Sequence, residues 1–202
     1  MTTPFVPSNE NRVAERIYQT ALPGLLFVEA PKNSDFRGFY SEIALVPDLE
    51  SIIGKPFAIR QTNLAHSVAN VARGFHAEQW NKLITVVRGE AFCAWVDVRT
   101  DSPTFGNSVT MTMGETMSTY GSMFVSQGIA NGYVVTQGPA DYYYLTDGLY
   151  RERDSTFDVA VSLFDSEINI EWPIPRMEMI LSQRDKQAIT LQDVRTGRGQ
   201  AQ

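Results

Sequence analysis

The chain has 202 residues, of which 43% are hydrophobic and 20% charged, and a formal net charge of −6. This globular composition carries enough apolar side chain for a sizeable core, while its acidity excludes nucleic-acid binding as the main role, which needs a basic footprint. The lack of an apolar run of about 18 residues excludes a helical membrane span, and a single cysteine, Cys93, excludes an intramolecular disulfide.

Alternation and β-branched or aromatic enrichment dominate the chain over any 3.6-residue period. The start, MTTPFVPSNENRVAER, has no basic segment leading into an apolar one, so no signal peptide is expected. Strands are predicted over 24–30 (GLLFVEA), 39–45 (FYSEIAL) and 57–66 (FAIRQTNLAH), with a short helix over 46–53 (VPDLESII) capped by Asp48. The strand-like run 71–80 (VARGFHAEQW) holds one of the two histidines, His76. Runs 82–89 (KLITVVRG) and 90–99 (EAFCAWVDVR) read as two strands, with Arg88-Gly89 as the tight turn of a hairpin. In the second run Phe92, Ala94, Val96 and Val98 share one face, and Cys93, Trp95 and Asp97 the other. Cys93 therefore reads as a buried thiol in a reducing compartment, and the cytoplasm is the expected location. Further strands are predicted over 107–113, 121–128, 131–137 and 140–148, separated by joints such as TDSPTFG and QGPAD, with a last turn near 182–189. Residues 1–12 and about 193–202 are expected to fray. The pattern predicts one all-β domain over 1–202, a sandwich or barrel with few short helices.

Little in the chain suits metal or phosphate chemistry. His66 and His76 stand ten residues apart without an HxH or ExxH pair, so no metal site is expected. No GxSxG, glycine-rich phosphate loop or dinucleotide fingerprint occurs, and no cofactor is expected. Cys93, central in a strand, reads as packing rather than a nucleophile. For His76 the residues leave two readings open: a packed histidine with a satisfied ring, or an acid–base group. Three features favour the second. Gly74 shares a strand face with His76 and leaves room beside it; Gln61 and Asn63 aim two amides from one face; and aspartate and tyrosine recur later, in FDSEINIEWP and ADYYYLTDGLY.

Six ordered blocks then resemble the dTDP-4-dehydrorhamnose 3,5-epimerase family: DFRGFYSE, RQTNLAH with VARGFHAE, NKLITVVRGEAF, VDVRTDSPTFG, LFDSEINIEWP and LSQRD. The resemblance runs from about residue 20 to 185. It implies a cupin-type jelly roll and an isomerase acting on a nucleotide sugar, a dTDP-linked 4-keto-6-deoxy sugar, inverting C3, C5 or both through an enolate. Residue by residue it implies His76 as base, Asp165 as the group that holds its ring, Lys82 facing the developing O4 charge, and Tyr144 as the acid on the opposite face. It also implies Arg37, Glu42, Gln61, Asn63, Arg73, Asn131 and Tyr150 as substrate-binding residues, and a homodimer in which Arg37 and Glu42 reach the nucleotide in part across the interface. Each has a plainer reading: Arg37 and Glu42 as a solvated edge strand, Arg73 as a surface arginine, and the Tyr142–Tyr144 run as packing. Strict alternation places Arg73 opposite His76, so both line one pocket only if the strand bulges near Gly74.

Two departures stand out. The family's F-A-H-G-F block appears as IANGY, so Asn131 replaces a histidine, and the block after His76 continues Ala77-Glu78 in place of an aromatic and a glutamine. An amide cannot carry a proton at neutral pH, and Ala77 would enlarge the pocket if it points inward. The alternatives are a single-carbon epimerase on another nucleotide-linked 4-keto sugar, or a non-catalytic cupin that binds one.

Overall fold

In the computed structural model, which describes residues 1–154 and 156–197, the chain opens with β1 (Thr2–Pro4), β2 (Arg12–Ala14), β3 (Ile17–Gln19) and β4 (Leu25–Glu29). A separate hairpin of β5 (Asn33–Asp35) and β6 (Gly38–Tyr40) follows, then helix α1 (Val46–Ile53). Next come β7 (Gln61–Ser67), β8 (Ala72–Ala77), the long β9 (Lys82–Asp97), β10 (Ser108–Gly114), β11 (Gly121–Val125) and the longest strand, β12 (Ile129–Thr146). The two-residue β13 (Val159–Ala160) and the short helices α2 (Gln183–Lys186) and α3 (Leu191–Arg195) complete it.

Strands β9 and β12 pair antiparallel along most of their length and organise the rest. At one end β9 carries β11, with β4, β3 and β2 beyond it, while β12 carries β7. At the other end β9 carries β10 and through it β1, while β12 carries β8 and then β13. The result is two sheets folded over one another that share their two longest strands. This is the expected cupin-type jelly roll.

The bend between the sheets explains why each long strand reads as two in the sequence. Gly89, at φ +68°, lies against the opposite strand, where a Cβ would come within 2.5 Å of the Pro139 carbonyl. Across it the inward-facing set changes parity, from Ile84 and Val86 to Ala91, Cys93 and Trp95. Residues 82–88 and 90–97 therefore do not form a hairpin with one another; both halves find their partner in β12. The face assignment within 90–99 holds: Cys93 and Trp95 join the cluster between the sheets, with Phe27, Met123 and Tyr142, whereas Ala94, Val96 and Val98 face a second cluster under the C-terminal segment. A third cluster, with Leu49, Phe57, Leu83 and Phe124, lies beneath α1.

Helix α1 spans the predicted residues, but its N-cap is Leu45 and no side chain caps it. Pro47 already starts the turn with its fixed φ, and Asp48 sits inside the first turn, where its charge favours the positive end of the helix dipole. Of the predicted 39–45 strand, only Phe39 and Tyr40 lie in a strand, paired with β5. The N-terminal residues are not frayed: β1 pairs parallel with β10, and Phe5 is buried. At the other end, Asp193 lies within α3, and residues 198–202 are outside the described residues. Among the described residues no helix is long and apolar enough to cross a membrane.

Candidate functional site

A cavity of about 170 Å³ at the open end of the inter-sheet core collects the groups able to move protons: His76 and Arg73 from β8, Glu78 just beyond it, Lys82 from β9, and Tyr144 from β12. Asn131, Tyr133, Tyr142 and Ala65 complete its wall. A larger cleft of about 770 Å³ runs between β1 and residues 166–171, but no histidine, lysine, arginine or tyrosine lines it.

Arg73 and His76 share this wall because β8 bulges. Asn131 pairs with His76 and Tyr133 with Arg73, so three steps along β8 match two along β12. The extra residue turns Arg73 to the side of His76. Gly74 permits it at φ +115°: a Cβ there would come 2.5 Å from Gly132 Cα and 2.6 Å from the Asn131 carbonyl. The missing side chain thus makes room for the neighbouring strand, not for a ligand. Alternation then sends Ala77 into the cluster on the far face, so its small size does not enlarge the cavity.

His76 Nε2 lies 2.7 Å from Asp185 Oδ1. A carboxylate only accepts, so Nε2 donates and Nδ1 is left as the basic nitrogen. Asp185, whose side chain is 2% exposed, also takes Ser182 Oγ at 2.7 Å through its other oxygen. Burial alone would raise its carboxyl, but the hydrogen bonds from His76 and Ser182, with the backbone of Gly74, hold it below the ordinary value.

This corrects the expectation for Asp165. Its carboxylate accepts three backbone N–H groups, from Glu167 at 2.9 Å, Ile168 at 3.3 Å and Leu191 at 2.8 Å. Asp165 ties the 163–168 turn to the start of α3; it does not hold the ring of His76. The sequence marked Asp185 as part of a helix start, though not as the partner of His76. Ser182 and Asp185 have the S-x-x-D spacing of a helix start, and Ser182 Oγ caps α2 by accepting from the Asp185 N–H.

Lys82 is buried, with its ammonium 2.5 Å from Asn131 Oδ1 and in an ion pair with Glu78. Asn131 Nδ2 donates onward to the Tyr142 hydroxyl at 3.4 Å. The rings of Tyr133 and Tyr142 stack at 4.2 Å, and Tyr144 meets Tyr142 edge-on at 6.1 Å. Tyr142 and Tyr144 share the inner face, as their spacing predicts. Burial, and next the charge of Glu78, push the Tyr144 phenol up to about 12, so it stays protonated through the neutral range.

Gln61, Asn63 and Tyr150 form a second polar group beside the cavity, outside its wall. Gln61 donates to Asn63 Oδ1 at 2.6 Å and accepts from the Tyr150 N–H at 2.9 Å; Asn63 pairs with Tyr144 across the ladder. Tyr150 accepts from Arg153 at 3.0 Å. Arg37 and Glu42 are not brought to His76. Arg37 sits at the tip of the β5–β6 hairpin, chelated by Asp35, and Glu42 pairs with Arg16 at 3.4 Å. Among the described residues no three His, Cys, Asp or Glu side chains are placed to hold a metal ion.

The sequence model of a family described as dTDP-4-dehydrorhamnose 3,5-epimerase matches residues 19–193. The dTDP-4-dehydrorhamnose 3,5-epimerase of Shigella flexneri is 30% identical over 173 residues, covering 84% of this chain and 92% of that protein. NovW, a 4-keto-6-deoxy sugar epimerase from the novobiocin gene cluster of Streptomyces spheroides, superposes with a TM-score of 0.82 at 29% identity over 90% of this chain and 89% of its own. ChmJ, a 3′-monoepimerase from Streptomyces bikiniensis solved with dTDP-quinovose, does so with a TM-score of 0.79 at 28% identity over 88% and 89%.

Proposed function

The chain belongs to the dTDP-4-dehydrorhamnose 3,5-epimerase family, and we propose that it inverts C3, C5 or both of a dTDP-linked 4-keto-6-deoxy sugar by proton transfer through an enolate. The observation that carries this reading is one cavity holding an oriented imidazole, a buried ammonium and a protonated phenol: His76 on Asp185, Lys82 on Asn131, and Tyr144. The carbonyl at C4 acidifies the hydrogens on both neighbouring carbons. His76 Nδ1 removes one as a general base, and Asp185 stabilises the imidazolium that forms. Lys82 faces O4, where negative charge appears only as the enolate develops, so its charge lowers the barrier rather than merely binding substrate. Tyr144 returns a proton from the opposite face, which inversion requires.

Arg73 and Asn131 bind the sugar, and Gln61, Asn63 and Tyr150 bind at the mouth. Arg37 and Glu42 act on the nucleotide of a second copy in a homodimer. That role fits the hairpin that carries Arg37, whose Phe36, Phe39 and Tyr40 all lie exposed and would be covered by a partner. The whole chain, 1–202, acts as one jelly-roll domain. The reduced, buried Cys93 suits the cytoplasm.

The test is mass spectrometry after incubation with dTDP-4-keto-6-deoxyglucose in D2O. Two deuteriums, at C3 and C5, establish the 3,5-epimerase, and one establishes a single-carbon epimerase and locates the carbon. Retention of both original hydrogens while the nucleotide sugar still binds would make the protein a binding cupin and overturn the proposal.

A further inference from the structure

Among the described residues, Glu78 is the one carboxylate in the wall of the reaction cavity. It follows His76 by two residues, just past the end of β8, and its side chain is 15% exposed. Its Oε2 is sealed from solvent and faces the ammonium of Lys82, itself only 5% exposed. A buried ammonium is costly without a counter-charge. The remaining groups around Lys82 do not supply one: Arg73 and His76 come from β8, and Asn131, Tyr133, Tyr142 and Tyr144 from β12, with uncharged Ala65 on β7. The Asp185 carboxylate lies behind His76 and is engaged by it and by Ser182.

We propose that Glu78 is a positioning residue for the epimerisation, acting through Lys82: it holds the buried ammonium in place against Asn131. The inference rests on the cavity being the reaction site. Two group properties are needed at once for proton transfer around a 4-keto sugar, a cation at O4 and a phenol that still owns its proton. One carboxylate in the same wall favours both. Without it, the ammonium has no counter-charge in the cavity wall and is no longer held against Asn131. The phenol ionises more readily as well, since Glu78 is second only to burial among the causes that raise it. Both changes act in one direction, against activity. Glutamine keeps an oxygen for Lys82 but not the charge; aspartate keeps the charge on a shorter stem.

The experiment compares the wild-type chain with Glu78→Gln and Glu78→Asp, measuring kcat and KM for exchange of sugar C–H for deuterium at neutral pH. Alongside it, Tyr144 is titrated by NMR in ligand-free protein carrying 13C-labelled tyrosine, assigned with Tyr144→Phe. In Glu78→Gln kcat is expected to fall about tenfold, with a smaller effect on KM, and Tyr144 to titrate at lower pH. Glu78→Asp is expected to restore both. A Glu78→Gln kcat equal to that of the wild type, or an aspartate variant as slow as the glutamine one, would overturn the proposal. Because the titration needs no substrate, an unmoved Tyr144 counts against Glu78 even if the wild type exchanges nothing, whereas that silence alone counts only against the epimerase reading.

Discussion

Replacing Asp185 by asparagine separates the two aspartates that compete for the role of orienting His76. The 2.7 Å contact joins His76 Nε2 to a carboxylate that is 2% exposed, so the imidazolium formed on proton abstraction is stabilised by a charge-assisted hydrogen bond in a dry setting. Such a bond is worth about 1.5–3 kcal/mol, which at about 1.4 kcal/mol per factor of ten corresponds to a loss of roughly 10- to 150-fold in the exchange rate. An asparagine amide can also donate to Nε2, moving the ring proton to Nδ1 and blocking the basic nitrogen, which adds to the loss. The assay is deuterium uptake into the 4-keto sugar per folded molecule, with the folded fraction read by circular dichroism. Asp165→Asn is the matched control. It leaves one of three backbone N–H groups without a full acceptor, so it is expected to cost about 1–3 kcal/mol of stability while the surviving folded molecules exchange normally. The reasoning fails if Asp185→Asn exchanges at the wild-type rate, or if Asp165→Asn loses exchange while fully folded.

Gly74→Ala places a Cβ 2.5 Å from Gly132 Cα at φ +115°, and should lower unfolding free energy by at least about 2 kcal/mol in a denaturant titration; an unshifted midpoint would refute the close approach of β8 to β12. Cys93 is buried, and burial pushes its thiol far above the ordinary value. A thiol reagent should therefore label it only in denaturant, and rapid labelling of native protein would contradict the packing. Asp97 and Asp185 are both held below the ordinary carboxyl value; at Asp97 burial opposes this, but Arg99, Ser102 and Thr104 outweigh it. A folded value below the unfolded one means stability that is present above about pH 4 and lost as pH falls through the depressed values. Unfolding free energy should thus drop between pH 7 and pH 3, and less steeply in Asp97→Asn; an equally steep drop in the variant would show that Asp97 does not carry the effect.

What local sequence determined is what local chemistry controls. Alternation set the faces of 90–99 and of Tyr142 and Tyr144, because a strand sends successive side chains to opposite sides whatever it later packs on. The ends of α1 follow from Pro47 at its start and from Gly54, which closes it at φ 69°. The blocks around His76 and Lys82, with the tyrosine run that holds Tyr144, named the groups that meet in the cavity. The aspartate partnering His76 was decided only in three dimensions. It lies 109 residues away, and Asp165 and Asp185 are both buried acids near the C-terminus that only tertiary placement tells apart. The Arg88-Gly89 step looked like a hairpin because a glycine between two alternating runs is the local sign of both a turn and a bend. It is a bend here because β12 offers one continuous partner to both halves of β9, and pairing with a distant strand is a property of the sheet, absent from the dipeptide. The bulge at Gly74 has the same origin. Glycine allows the conformation, but the backbone of Gly132 pressed against it is what requires glycine there, and that contact is also what brings Arg73 and His76 to one wall.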